Sequence, residues 1–458
     1  MAIAVTNPTT GLVEEAFEPH SAAEVERRIA EAHAAVTLLA ETTFAERQAW
    51  MNRTADILEA EVDELATMMV REVGKPIAAA RGEVLKCAKN MRFYGAHAEG
   101  FLADEPLSDP SAVGASRALA RWFPLGVVLA VMPWNYPLWQ VIRFAAPALM
   151  AGNTGLLKHA SNVPLSAIFL DTIFERGGFP TGSFRTILVG SAAVEAVIAD
   201  PKIAAVTITG SEPAGRSVAE TAGRNIKKAV LELGGSDAFV VLPSADVPRA
   251  AEVAVLARTS NNGQSCIAAK RFIVHADVYD RFRDEFVARM GALVVGDPML
   301  PETEVGPLAT EQGRADLAEL VDDAINRGAS VPVGGVVPDG AGWFYPPTVV
   351  ADITTEMRLY AEEAFGPVAS LYRVANIDEA IALANGTDFG LSSAAWTTDP
   401  AEKARLEREL EAGAVFINGM TVSYPELPFG GVKNSGYGRE LGAAGIREFC
   451  NQKTVWEA

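Results

Sequence analysis

Apolar residues recur at helical intervals through the first hundred positions of the chain. Ser21 and Glu24 have the spacing of a capping box, and Val25, Ile29, Val36 and Leu39 follow as a helical stripe. A second periodic stretch runs from about Phe44 to the Gly74-Lys75-Pro76 stop, and a third from about Ile77 to Phe101. From Trp122 onward the pattern changes to short β-branched runs, GVVLAVM, TGLLKHA, FRTILVG, AAVTITG and KKAVLEL, each followed by an amphipathic segment or a turn. Runs that are apolar on both faces suit strands covered on both sides, so the alternation predicts βαβ units and a parallel sheet flanked by helices. A second set, DAFVVL, RFIVHA, FYPPTVVA, VASLYRV, SSAAWTT and GAVFING, predicts a second α/β unit, with a boundary at Leu231-Glu-Leu-Gly-Gly-Ser236. The closing NQKTVWEA reads as a terminal strand whose edge can pair with another chain.

Composition narrows the partners. Over 458 residues, 39 Lys and Arg stand against 58 Asp and Glu, a formal charge of −19. A field of that sign repels phosphate backbones and anionic lipid, so neither nucleic acid nor membrane is expected as a partner, while a local pocket for a small anion stays open. No run approaches the ~20 apolar residues that span a bilayer and no basic leader precedes an apolar run, which points to the cytoplasm. Cys87, Cys266 and Cys450 form no CxxC or CxH pattern, so neither a disulfide framework nor a metal site is expected.

Cys266 ends the polar turn Asn261-Asn-Gly-Gln-Ser-Cys266, just ahead of a strand. A thiol on a loop fixed by a rigid strand suits a nucleophile; the alternative is a small buried apolar residue, the reading kept for Cys87 and Cys450 in helix-like segments. None of the five histidines shares a motif with Cys266. Glu232, a lone carboxylate ending an apolar strand, is the better base, because desolvation raises such a group toward general-base range; the alternative is a solvated charge at a strand end. A Gly-x-Gly-x-x-Gly fingerprint is absent. Thr209-Gly-Ser-Glu-Pro-Ala-Gly215 nevertheless follows a strand and opens a helix, where Gly210 allows a tight turn and Ser211 offers a hydroxyl to a pyrophosphate. At Pro133-Trp-Asn-Tyr-Pro137 a strand gives way to a helix, and Asn135 can aim its amide at a developing oxyanion. Asn135, Trp139 and Arg143 recur every four residues, which suggests one helix face lining a tunnel that ends in a cation; the alternative is an Arg paired to a neighbouring acid and a Trp in the core.

Seven motifs, PWN at 133–135, LLKHAS at 156–161, TGS at 209–211, LELGG at 231–235, GQSC at 263–266, EAFGPV at 363–368 and PFGG at 428–431, together resemble the aldehyde dehydrogenase superfamily, in its order across nearly the whole chain. The resemblance implies an aldehyde dehydrogenase-like α/β fold: a Rossmann-like cofactor domain (1–105 and 125–234), an α/β catalytic domain (235–432) and a small β oligomerisation element (106–124 and 445–458), assembled as a homodimer or homotetramer. It further implies Cys266 as nucleophile, Glu232 as general base and Asn135 as oxyanion donor with the Cys266 N–H. Lys158 would bond the adenosine ribose, Trp134, Gly210, Ser211 and Leu233 would contact the cofactor, and Glu363 with Phe365 would hold the nicotinamide ribose. Many members have Lys-Pro-Ser-Glu where this chain has Lys158-His-Ala-Ser161; the missing carboxylate favours NADP, with NAD possible. WNYPLWQVIRFAAPALMAGN and GGVKNSGYGRELG look most like the succinate-semialdehyde dehydrogenase subgroup, with Arg143 and Trp139 on the substrate side. Glutarate semialdehyde or a neutral aliphatic aldehyde is the neighbouring substrate expectation, and a cysteine-dependent thiol esterase the rival of another class. Tyr136, where Phe is frequent, has no sequence-level explanation.

Overall fold

The computed structural model describes residues 2–458. Its frame is two α/β sheets. The first runs, edge to edge, Gly436–Tyr437, Lys228–Glu232, Ile203–Thr209, Val127–Met132, Thr154–His159 and Phe184–Thr186. All neighbours are parallel except the short Gly436–Tyr437 edge. Strand Val127–Met132 lies between Ile203–Thr209 and Thr154–His159, so the chain departs from it in two directions. The carboxyl ends of Val127–Met132 and Ile203–Thr209 therefore flank a topological switch point, where crossovers diverge and leave a crevice.

The second sheet is ordered Ser330–Val333, Thr348–Ala351, Val368–Val374, Arg271–His275, Ala238–Val241, Ser393–Trp396 and Val415–Ile417, parallel throughout except for Ser330–Val333. Its five inner strands are buried on both faces, as the unbroken apolar runs require, while the edges Ser330–Val333 and Val415–Ile417 stay partly exposed. A third, antiparallel sheet pairs Cys450–Glu457 with Arg117–Pro124, and Arg117–Pro124 with Glu105–Pro106.

Helix Ala22–Ala40 begins at Ser21, whose hydroxyl accepts from the Glu24 N–H at 3.2 Å. The second helical stretch is two helices, Phe44–Ala60 and Val62–Val73, and Gly74 ends the latter in the left-handed region at φ 72°. Helix Ile77–Phe101 follows. Besides that split, three features differ from the sequence reading. Residues 3–17 form a hairpin, Ile3–Asn7 with Leu12–Phe17. The chain returns from the second sheet to add Gly436–Tyr437 beside Glu232 in the first. Cys450 opens a strand rather than lying in a helix, because helix Gly442–Glu448 stops just before it.

Candidate active site

The turn before Arg271–His275 is built from residues that tolerate an unusual backbone. Asn261, Asn262 and Gly263 take φ values of 55°, 56° and 73°, three left-handed residues in succession, where Asn and Gly carry the smallest penalty. A Cβ on Gly263 would sit 2.3 Å from the Gly366 carbonyl carbon, so the turn also passes too close to its neighbour for a side chain. Polar side chains hold it in place. Asn262 donates to the carbonyls of Gly74 and Pro307, both at 2.9 Å, and Arg258 donates to the Gly263 carbonyl at 2.6 Å. Lys270 donates to the carbonyls of Ser265 (2.8 Å) and Cys266 (2.6 Å). Cys266 leaves this turn half-buried, with its thiol free.

Asn135 stands opposite. Its Nδ2 donates to the Gln264 carbonyl at 3.1 Å, and its own carbonyl accepts from Asn261 at 2.7 Å, so the two loops are clamped to each other. An amide nitrogen has two N–H groups, and one is spent on the Gln264 carbonyl. Asn135 is not helical: helix Trp139–Met150 starts four residues later, its first N–H groups taken up by Glu83, which accepts from Leu138 and Trp139 at 2.9 Å each. The single helix face expected to carry Asn135, Trp139 and Arg143 thus reduces to Trp139 and Arg143. His159 braces the same loop. Its Nδ1 accepts from the Ala160 N–H at 2.9 Å, which leaves Nε2–H to donate to the Pro137 carbonyl at 2.9 Å, and burial pulls the ring down to about 4, so it is neutral. Tyr136 has its ring against the Lys75 ammonium at 4.3 Å.

Two cavities meet at Cys266. One, of about 300 Å³, is lined by Trp134, Asn135, Gly210, Ser211, Leu233, Glu363 and Phe365 together with Cys266, which brings six of the residues marked for cofactor contact into one space. The fit depends on glycine. A Cβ on Gly234 would come 2.5 Å from Glu363 Oε2, and one on Gly215 would come 2.5 Å from the Leu233 methyls. Ser211 caps helix Glu212–Arg224 in backbone conformation without spending its hydroxyl on the helix. Trp134 and Phe365 meet edge to face at 5.7 Å. Glu363 is held by Lys270 at 3.0 Å. Lys158 and Ser161 lie one strand over, at the same end of the sheet, and do not line this cavity. A crevice at a strand switch point, with a free hydroxyl at a helix start and close-approach glycines, fits a dinucleotide.

The second cavity, of about 110 Å³, lies on the other side of the thiol and is walled by Trp139, Arg143, Ile267, Phe429 and Lys86 among others. Gln140 lines both spaces. Arg143, expected on the substrate side, is in the wall of this cavity and is also held from within the protein. Arg143 is 2% exposed, ion-paired to Glu440, bonded to Thr209 Oγ1 at 3.3 Å and stacked 4.7 Å from the Phe429 ring centre. Its charge is already matched inside the protein, because the chain return at Gly436–Tyr437 delivers Glu440. Lys86, which sequence reasoning missed, faces the same cavity; its only sequence signal is a cation on the helix Ile77–Phe101.

Glu232 is 2% exposed, and neither carboxyl oxygen has a hydrogen-bond partner. Burial and the adjacent Glu440 push it well above the ordinary carboxyl range, while Arg143 and Arg439 pull the other way. It points toward Gly430 and Glu440 and lines neither cavity, whereas the next residues, Leu233 and Gly234, line the larger one. Burial also pushes the Cys266 thiol up to about 11, against the pull of Lys270 and Arg143. Among the described residues no cluster of His, Cys, Asp or Glu could hold a metal ion.

A free thiol and an amide donor stand at the junction of a dinucleotide-sized crevice and a small second cavity, and the sequence model of the aldehyde dehydrogenase family matches residues 1–455: the chain belongs to that family. It is 63% identical over 457 residues, all of this chain and 97% of the other, to the succinate-semialdehyde dehydrogenase [NADP(+)] of Mycobacterium avium. It is 62% identical over 458 residues, 100% of both chains, to succinate-semialdehyde dehydrogenase [NADP(+)] 1 of Mycobacterium tuberculosis. The crystal structure of succinic semialdehyde dehydrogenase from Streptococcus pyogenes, in complex with NADP+, superimposes with a TM-score of 0.95 at 36% identity over 99% of each chain.

Proposed function

We propose that the protein oxidises succinate semialdehyde to succinate with NADP as the electron acceptor. The observation that carries this is the position of Cys266, the one thiol bordering both a dinucleotide-sized crevice and a separate small cavity. The full-length relatives named for this activity support the substrate and the cofactor.

The Cys266 sulfur, once deprotonated, attacks the aldehyde carbon. The spare N–H of Asn135 and the Cys266 amide N–H bond the oxygen as it gains charge. NADP, when bound, accepts the hydride that leaves this carbon, and a thioester on Cys266 remains. Glu363, fixed by Lys270, and Trp134 with Phe365 orient the cofactor ring. Glu232 takes a proton from the water that attacks the thioester, releasing succinate and the thiol. No hydrogen bond holds its carboxyl, so turning toward the thioester breaks none. Lys158 and Ser161 meet the adenosine ribose, and a hydroxyl at Ser161 leaves a 2′-phosphate unopposed by negative charge. Three unpaired thiols suit a reducing compartment, the cytoplasm. Among the described residues no helix is long and apolar enough to cross a membrane. The exposed edge of Cys450–Glu457 joins copies of the chain into a dimer or tetramer.

The test is reduced-nicotinamide absorbance with succinate semialdehyde and with butyraldehyde, each against NADP and NAD, for the wild type and Glu232→Gln. The wild type turns over fastest with the semialdehyde and NADP, and Glu232→Gln gives a single burst and then stalls as the thioester. Turnover without nucleotide, or full steady-state activity in Glu232→Gln, rejects the mechanism.

A further inference from the structure

We infer that Lys270 is a positioning residue whose single ammonium aims the Cys266 N–H at the substrate oxygen and anchors the Glu363 carboxylate in the cofactor crevice; this rests on Cys266 as nucleophile and Glu363 as ribose ligand, the reading given above. Lys270 stands at the start of strand Arg271–His275, and its backbone is fixed from both sides. Its N–H donates to the Asp237 carbonyl at 3.0 Å, and its carbonyl accepts from the Ser370 N–H at 2.8 Å. The side chain is 2% exposed. An ammonium has three N–H donors, and all are spent: on the carbonyls of Ser265 (2.8 Å) and Cys266 (2.6 Å) and on Glu363 Oε1 (3.0 Å). Glu363 Oε1 also accepts the Gly235 N–H at 3.2 Å, so that oxygen is tied inward. Oε2 has no partner among the described residues and is left for the crevice that Glu363 lines. Gly235 has to be glycine here, because a Cβ would stand 2.8 Å from the Cys266 carbonyl oxygen.

A trans peptide is planar, so its C=O and N–H point in opposite directions. Holding the Ser265 carbonyl therefore fixes where the Cys266 N–H points. That carbonyl also accepts from the Ala268 N–H at 3.1 Å, and the Gln264 carbonyl before it accepts from Asn135 and Asn261 at 3.1 and 3.0 Å. Three consecutive carbonyls are thus turned onto donors, while the Cys266 N–H meets no acceptor among the described residues. A cation on the carbonyl side also polarises the peptide unit and strengthens its N–H as a donor. The sulfur feels the same charge. Lys270 and Arg143 favour its ionised form, Glu363 and Asp237 oppose it, and Lys86 and Tyr136 border the cavity on its other side. Burial pushes Asp237 up to about 7, so an assay near pH 8.5 keeps that carboxyl ionised.

The experiment compares the wild type with Lys270→Met, Lys270→Arg and Glu363→Gln. It measures iodoacetamide alkylation of Cys266 in the cofactor-free protein, NADP binding by fluorescence titration, and turnover of succinate semialdehyde and butyraldehyde. Loss of the cation slows alkylation about tenfold in Lys270→Met, whereas loss of the anion speeds it about threefold in Glu363→Gln. A residue that only supports the fold does not give opposite signs. In Lys270→Met kcat falls about 10- to 100-fold, alike for both aldehydes, because the misaimed N–H belongs to the transition state. The dissociation constant for NADP rises about three- to tenfold as Glu363 loses its anchor. Lys270→Arg keeps the charge, so alkylation stays within about threefold of the wild type, but its planar fork cannot meet three converging acceptors and kcat falls about tenfold. If Lys270→Met does not fold, Lys270→Arg and Glu363→Gln decide the matter. Unchanged kcat in either Lys270 variant, or slower alkylation in Glu363→Gln, overturns the Lys270 assignment and leaves Cys266 as the nucleophile. Full turnover in Cys266→Ala removes the nucleophile itself, and the Lys270 assignment with it.

Discussion

Replacing Arg143 by leucine separates a structural cation from a substrate-binding one. Arg143 and Glu440 expose only 3% and 4% of their side chains, and Glu232 stands beside them, so the guanidinium is the charge that offsets two buried carboxyls. Without it Glu440 has no partner and takes up a proton. Its folded-state pKa is raised by burial above the unfolded value, so the penalty is absent below the unfolded pKa and grows as pH rises toward the folded one. Removing one partner of a buried ion pair costs about 3–5 kcal/mol near neutrality, and protonation of Glu440 lowers that cost as pH falls. Loss of the contact to Phe429 adds about 0.5–2 kcal/mol at any pH. Denaturant unfolding followed by tryptophan fluorescence at about pH 7.5 and about pH 5.5 measures this directly. The wild type and Arg143→Leu converge as pH falls, and the variant loses activity on succinate semialdehyde and butyraldehyde alike. A variant of unchanged stability that loses affinity for the semialdehyde alone would falsify the argument and return Arg143 to the substrate.

Two further outcomes follow from the site. With burial holding the Cys266 thiol at about 11, only a small thiolate fraction exists near neutrality in the cofactor-free enzyme, and alkylation by iodoacetamide rises about tenfold per unit from pH 7 to 9. Modification followed by mass spectrometry falls on Cys266, because burial raises Cys450 to about 12 and Cys87 well above the ordinary thiol; a rate flat over that range means that Cys266 is ionised in the resting protein. Ser161→Glu raises KM for NADP at least about thirtyfold, through repulsion of the 2′-phosphate, with little change for NAD. Equal change with both nucleotides removes Ser161 from the ribose.

The parts of the site that could be read in the sequence are those carried by one contiguous segment. Apolar runs such as GVVLAVM and RFIVHA mark strands because both faces are covered, and the turns that follow or precede them hold Asn135, Ser211 and Cys266. Motif resemblance supplied Glu363 and Phe365, which no local pattern distinguishes. What escaped depends on partners far apart in the chain. Arg143 looks free until Glu440 is placed beside it, and Lys86 looks like a solvated helix residue until Ser423 and Trp139 enclose it. His159 is in sequence a lone histidine, and only the fold shows it pinning the Pro133–Pro137 loop. The second helical stretch was read as one because Val62 continues the apolar stripe, although Glu61 breaks the backbone with φ −102° and ψ 17°.

The return of the chain to the first sheet has a consequence for the order in which the protein matures on the ribosome. Arg143 is translated early, within the strands and helices that form the crevice, whereas Glu440 and the Gly436–Tyr437 edge emerge much later. At about 5–20 residues per second, the intervening stretch of about 300 residues takes on the order of 15–60 s to be made. Throughout that interval the nascent crevice holds a guanidinium with no counter-ion and a sheet with an open border next to Glu232. The dinucleotide half therefore cannot reach its final state as an independent early unit. Its completion waits for Glu440 to emerge, which ties the readiness of the cofactor site to the presence of the catalytic half.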